Sequence, residues 1–226
     1  MTRQALSRWS DPVQLRAEAG QRLLQTYAAL AARGAHLLGH VLGGQAPRQW
    51  DHYPEQDAID HASGYQWFYH SHHPEDRAGA AEHGHIHLFA RRPLWSRRLN
   101  SRNERAFAEL CGHPEPSPAT RHLLGVSFDA KGLPISLFTV NSWVTGDLML
   151  SAGLTLDLLD RMALDTGHPE VDAVLETVVC LCGPELRELM HRRDAALRAH
   201  PGAAKLQDEA LELLAEMPID LDSKLG

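Results

Sequence analysis

Histidine is the residue type in this chain best suited to chemistry, and it is not spread evenly. Of 15 histidines, eight fall between His52 and His87. Two short runs are densest: FYHSHH, which holds His70 and His72, and EHGHIHLF, which holds His83, His85 and His87. Imidazole nitrogens bind Zn, Cu, Fe and Ni and carry protons near neutral pH. What they can do here depends on whether the backbone lets the rings converge.

On a β-strand, residues two apart share a face. Reading GYQWFYHSHH as a strand sets Gln66, Phe68, His70 and His72 on one side and Tyr65, Trp67, Tyr69 and His73 on the other. In HGHIHLFA, His83, His85, His87 and Phe89 share a side, while Gly84, Ile86, Leu88 and Ala90 face the core. The intervening PEDRAGAAE suits a hairpin loop. Antiparallel pairing brings facing Cβ atoms to about 4.5–5.5 Å. One register sets His70 opposite His85 and His72 opposite His83; a shift of two residues sets His70 opposite His87 and His72 opposite His85. In both, four imidazoles meet on one face, near enough to share an ion at about 2.0–2.1 Å.

Strand geometry also limits the ligand set. Positions i and i+4 lie about 13 Å apart, so His83 and His87 do not easily hold one ion. The expected ligand pool is His70, His72, His85 and His87, with His83 as a neighbour or as a ligand of a second metal. Glu82 and His83 are candidates to move protons, although strict alternation turns Glu82 to the opposite face unless the strand begins later. Glu55, Asp57 and Asp60 in HYPEQDAIDH are alternative carboxylates from a preceding loop, flanked by His52 and His61. A metal-free polar pocket is the competing reading of the same residues. With no cysteine nearby, the expected cofactor is a transition metal ion, Fe or Cu, with Zn as the alternative. A C-x-x-C-H motif is absent, so haem, a lesser expectation, would be non-covalent.

The elements that must position these residues follow from periodicity. Residues 10–43 read as a helix, with Ser10 able to cap it and Gly34, or at latest Gly43-Gly44, to end it. Residues 50–145 form a His-rich β region, with hairpins expected at about 64–92 and 121–141, the second turning at Asp129-Ala130-Lys131-Gly132. Within it, 101–111 returns to helix, where Ser101 and Glu104 have capping-box spacing. Helices are expected at about 147–164, 170–182, 184–199 and 202–216, giving a helical region over 147–217. Strands in the middle and helices at both ends imply an α+β fold around a central antiparallel sheet, with 1–226 as a single domain.

Composition bounds the function. A net charge of -7 argues against non-specific nucleic-acid binding, which depends on surplus Lys and Arg. The N-terminus lacks a continuous apolar stretch, and no segment approaches the roughly 18 apolar residues that span a bilayer, so a cytoplasmic location without membrane partners is expected. Cys111, Cys180 and Cys182 form no C-x-x-C pair, and Cys180 and Cys182 read as packing residues on a helix. The run RRPLWSRRLNSRNER places six arginines between 91 and 105. It reads as a solvated face, with an anionic small-molecule substrate or a partner held by bidentate pairing as its functional alternative. In LFTVNSWVTGD, Asp147 reads as a cap.

HYPEQDAIDHASGYQWFYHSHH, EHGHIHLF and LFTVNSWVTGD together resemble a bacterial family, a domain of unknown function, whose most specific part is Glu-His-Gly-His-x-His. The resemblance covers about residues 50–147, implies that the three segments belong to one domain, and brings no activity. From the residues themselves the expectation is a metal-dependent enzyme, a non-haem iron or copper oxidoreductase acting on a small molecule. A zinc-dependent hydrolase or hydratase is the enzymatic alternative; a metal- or haem-binding carrier or sensor is the non-enzymatic one. The chain alone leaves the oligomeric state open.

Overall fold

A computed structural model describes residues 12–71, 82–114 and 119–225. The chain opens with helix α1 (Pro12–Ala32), which stops where Gly34 takes φ 61. The expected continuation to residue 43 is replaced by turns. Strands β1 (Tyr53–Ile59), β2 (Tyr65–His70) and β3 (Gly84–Arg91) follow, then short helix α2 (Arg92–Trp95) and helix α3 (Arg102–Leu110). The Ser101 hydroxyl accepts from the Glu104 amide and starts α3 where the capping spacing predicts. β4 (Thr120–Phe128) and β5 (Pro134–Val140) form the second expected hairpin. A single turn, α4 (Ser142–Thr145), and the short strand β6 (Leu148–Met149) precede helices α5 (Ala152–Asp160), α6 (Pro169–Leu181) and α7 (Gly183–Ala199).

The fold is α+β, with helices at both ends of a seven-stranded sheet. Its order is β1-β2-β3-β4-β5-β7, antiparallel throughout that path, while β6 lies parallel to β4. Three further stretches differ from the sequence reading. The helix expected over about 147–164 begins only at Ala152 and ends at Asp160, because Leu148 and Met149 pair with β4 as β6. HYPEQDAIDH, expected as a loop, supplies the edge strand β1, with an irregular register between Tyr53 and Ala58. The helix expected over 202–216 is instead a 3-10 turn at Lys205–Gln207 and a strand, β7 (Leu213–Pro218), which pairs with β5. A short helix, α8 (Asp222–Leu225), follows it. The stretch EALELLAEM has strong helix formers, yet as a strand it covers the open edge of β5 and buries Leu214 and Ala215. Tertiary pairing overrides propensity there.

The two faces of the sheet differ in chemistry. Trp67 and Tyr69 of β2, Ile86 and Leu88 of β3, Val126 and Phe128 of β4 and Leu137 of β5 are at most 0% exposed and join one core. That core includes Leu23 of α1, Val174 and Val178 of α6, and Leu186 and Leu189 of α7. Two polar groups within it are paired: the Trp67 indole N–H donates to Asp172, and the Tyr65 hydroxyl to the Leu158 carbonyl. The opposite face carries the histidines. Ile86 and Leu88 therefore hold β3 down while the residues between them point the other way.

Candidate metal centre

The β2–β3 register is His70 opposite His85 and Phe68 opposite His87. It is the first of the two registers that alternation allows. On the cluster face, His70 Nε2 lies 2.5 Å from His85 Nε2, and His85 Nε2 lies 3.1 Å from His87 Nε2. Among the described residues, His70, His85 and His87 form a buried group whose ligand atoms all lie within 4.8 Å of one another. Ligands about 2.0–2.1 Å from one ion stand about 3 Å from each other, so this spacing suits a shared ion. Three imidazoles presenting the same nitrogen to one point could hold a metal ion.

The outer nitrogens explain which face of each ring turns inward. His85 Nδ1 lies 2.5 Å from Glu82 Oε1, and the Ser127 hydroxyl donates to Glu82 Oε2 at 3.0 Å. An ionised carboxylate only accepts, so the proton of neutral His85 sits on Nδ1 and its Nε2 lone pair points to the centre. His87 has a similar outer partner: its Nδ1 lies 3.0 Å from His122 Nε2. Burial drives the pKa of His87 well below the ordinary imidazole range, and the surrounding His85, His122, His70 and His52 push it the same way. Burial also lowers His122 to about 3, with Arg193 and His85 adding to the effect. Both rings are held neutral, the form in which imidazole binds metal.

Glu82 is on the cluster face because β3 begins at Gly84, so residue 82 is released from strand alternation. His83 goes the other way. It is exposed, and its Nδ1 lies 3.1 Å from the hydroxyl of Tyr69, a residue of the helix-covered face. A Cβ on Gly84 would stand 2.3 Å from that hydroxyl, so the glycine is what lets Tyr69 cross to His83. Burial raises the Tyr69 pKa, which keeps the hydroxyl protonated as a donor. His83 is therefore placed outside the group of His70, His85 and His87, at the surface beside Tyr69. His72, with the expected loop before Glu82, lies outside the described residues.

The alternative carboxylates separate clearly. Asp57 faces the cluster cavity, held by Gln66 Nε2 at 2.7 Å and by His52 Nδ1 at 3.2 Å. His52 itself stacks on Phe68 with ring centroids 3.6 Å apart. Asp60 is turned away: it accepts from the amides of Ala62, Ser63 and Asp165 and from the Ser63 hydroxyl. Glu55 is exposed on β1, and His61 is exposed with Arg91 3.5 Å from its Nδ1. In the LFTVNSWVTGD stretch, Asn141 is the residue that caps, accepting from the Ser142 amide, while Asp147 accepts from the Thr120 hydroxyl and lines the cavity.

A cavity of about 270 Å³ opens directly over the three histidines. Phe68, Phe89 and Phe138 wall it, with Trp50 at its rim and 63% exposed. Phe138 lies 5.0 Å from the His85 ring and 5.6 Å from the His87 ring. It can do so only because Gly125 beneath it has no side chain; a Cβ there would stand 2.3 Å from the Phe138 ring. Among the described residues, no Lys or Arg lines this cavity. In the arginine run, Arg98 donates to Asp157 at 2.6 Å and Arg91 lies 3.5 Å from His61, and none of its six arginines lines this cavity. The thiols take no part either: all three cysteines are buried, and burial lifts Cys182 to about 12 and Cys111 to about 11.

His122 was not legible as a site residue. Counting by twos along β4 puts it with Leu124, Val126 and Phe128, which face the helices. A register shift between Leu88 and Phe89 places an extra residue, Leu123, in β4, so His122 pairs with Phe89 and emerges on the cluster face.

A family model described as Domain of unknown function (DUF6969) matches residues 17–219. The chain belongs to that family. The match extends well beyond the 50–147 segment carrying the signature, and it takes in the helices that cover the far face of the sheet. No curated protein and no solved structure matches the chain. Membership in DUF6969 therefore brings no activity, and function must be argued from the site. No described helix is long and apolar enough to cross a membrane.

Proposed function

We propose that the chain is a metal-dependent enzyme, an oxidoreductase that uses non-haem iron or copper to act on a small molecule in the cavity over His70, His85 and His87. The observation that carries this reading is the position of the three inward-facing Nε2 atoms at the floor of an open cavity. A site meant only to hold an ion closes its coordination sphere with protein ligands; three ligands below a cavity leave positions open. A metal ion held there would supply those open positions to dioxygen or substrate. The chain's own groups do the rest. Glu82 and His122 fix the rings of His85 and His87, while Phe68, Phe89 and Phe138 orient an apolar body and exclude water.

Zinc-dependent hydrolysis is the second reading, favoured by Asp57, a carboxylate inside the cavity that could take a proton from water. It is the weaker of the two because Glu82 is already committed to His85 and Ser127, and His83 faces away. Protein purified without a histidine tag and supplemented with Fe, Cu or Zn should hold a stoichiometric ion. His85→Ala should lose that ion. Dioxygen uptake with a reductant then separates oxidoreductase from hydrolase. If supplemented protein holds no metal and His85→Ala changes neither metal content nor melting temperature, the proposal fails.

A further inference from the structure

We infer that the cavity over the histidines is shaped for a small organic cation, an ammonium group carried on an apolar body. This deepens the metal-enzyme reading and rests on it for the chemistry, though not for binding. Three carboxylates line the cavity, Asp57, Asp147 and Glu212, and among the described residues no Lys or Arg does. A divalent ion on three neutral imidazoles would bring two positive charges, and Glu82 beside His85 balances one of them. Arg121 acts on the charge of Asp147, so the count rests on Asp57 and Glu212, two carboxylates against the one positive charge left over. An anionic ligand would meet that surplus at close range and a cation would neutralise it.

The walls favour the same ligand. Phe68, Phe89, Phe138 and Trp50 present aromatic rings, whose negative faces attract ammonium groups while their area takes up hydrocarbon. At about 270 Å³ the space lies just below the roughly 300–1,000 Å³ of drug-sized sites, which limits the ligand to a small one. The backbone points to this place as well. Among the described residues, Trp50 (φ 68), Asp57 (φ 49) and His113 (φ 52) are the non-glycine residues with positive φ, and the first two line this cavity. Such conformations persist where surrounding structure enforces them, and they gather at ligand sites. At Asp57 the strained backbone sits in the irregular stretch of β1, and the carboxylate is steadied by Gln66 and His52 without a Lys or Arg partner of its own in the cavity lining.

The test is an NMR titration of metal-loaded and metal-free protein at neutral pH with benzylammonium, butylammonium, benzyl alcohol and benzoate. The ammonium probes should bind at least about tenfold more tightly than the alcohol or the carboxylate, with shifts at the Trp50 indole N–H. Asp57→Asn, which keeps the shape, should lower ammonium affinity about tenfold, while Glu209→Gln, on the exposed surface, should leave it unchanged. Melting curves check that both variants fold. Equal or tighter binding of benzoate, no saturable ammonium binding, or an unchanged affinity in Asp57→Asn overturns the inference. A chain that takes up metal yet shows no preference for the cation overturns this inference alone. A chain that takes up no metal yet binds benzylammonium through Asp57 overturns the metal reading alone.

Discussion

A ring nitrogen can bind a metal only where the ring's proton sits on the other nitrogen, and Glu82 places that proton on His85. Its two oxygens are used separately, one by His85 Nδ1 and one by the Ser127 hydroxyl, so the carboxylate is itself held in position. Glu82→Ala should therefore lower metal affinity about 10–100-fold, since the outer partners of metal-bound histidines have effects of that size. Glu82→Gln keeps an acceptor oxygen and should fall between the two. Competition against a chromophoric chelator measures this; equal affinity in all three proteins would mean that Glu82 only fills space. Glu82 is legible in the sequence but its direction is not, because β3 begins at Gly84 and alternation does not reach residue 82. His122 is hidden for the opposite reason: alternation is broken inside β4 by an extra residue that leaves no compositional mark.

At the scale of elements, the hairpin of β2 and β3 was legible because two signals coincide in it. Alternation decides which residues share a face, and the apolar set Ile86, Leu88 and Ala90 decides which face is buried. Single-signal segments fared worse. β7 carries helix-forming residues and becomes a strand only because the edge of β5 needs a partner, and β1 carries charges that suit a loop as well as an edge. Asp60 shows how such a segment is fastened. It ties the β1–β2 turn to the loop after α5 through Ala62, Ser63 and Asp165. Burial alone would raise its carboxyl, but the hydrogen bonds from Ser63, Ala62 and Asp165 outweigh burial and hold it below the ordinary value of 3.8. A carboxylate with a depressed folded pKa contributes stability that is complete above the unfolded value and lost as pH falls through the folded one. Asp60→Asn should cost about 1–3 kcal/mol in urea unfolding at pH 7. The gap to the parent should narrow as pH is lowered from about 5 toward 3. Metal uptake should be unchanged, since Asp60 faces away from the cluster; lost uptake would return it to the ligand set.

For the whole molecule, the sheet works as a partition. Its helix-covered face holds the main core, and its other face holds the histidines and the cavity, so stability and site chemistry are governed by different residues. An ion that binds only the folded chain stabilises it by RT ln(1 + [M]/Kd), about 2.7 kcal/mol at a hundredfold excess over Kd. For a chain of 226 residues that corresponds to a rise in Tm on the order of 5–10 °C. Two variants divide the partition. His85→Ala should abolish the metal-dependent rise, because it removes the central ligand of the three. Trp67→Phe, on the far face, loses the indole hydrogen bond to Asp172 and should lower the baseline Tm while keeping the rise intact, since sites separated by the sheet share no partner. Scanning calorimetry with and without a chelator reads both. A rise that survives His85→Ala would place the ion elsewhere, and a rise that disappears in Trp67→Phe would mean that the two faces do not act separately.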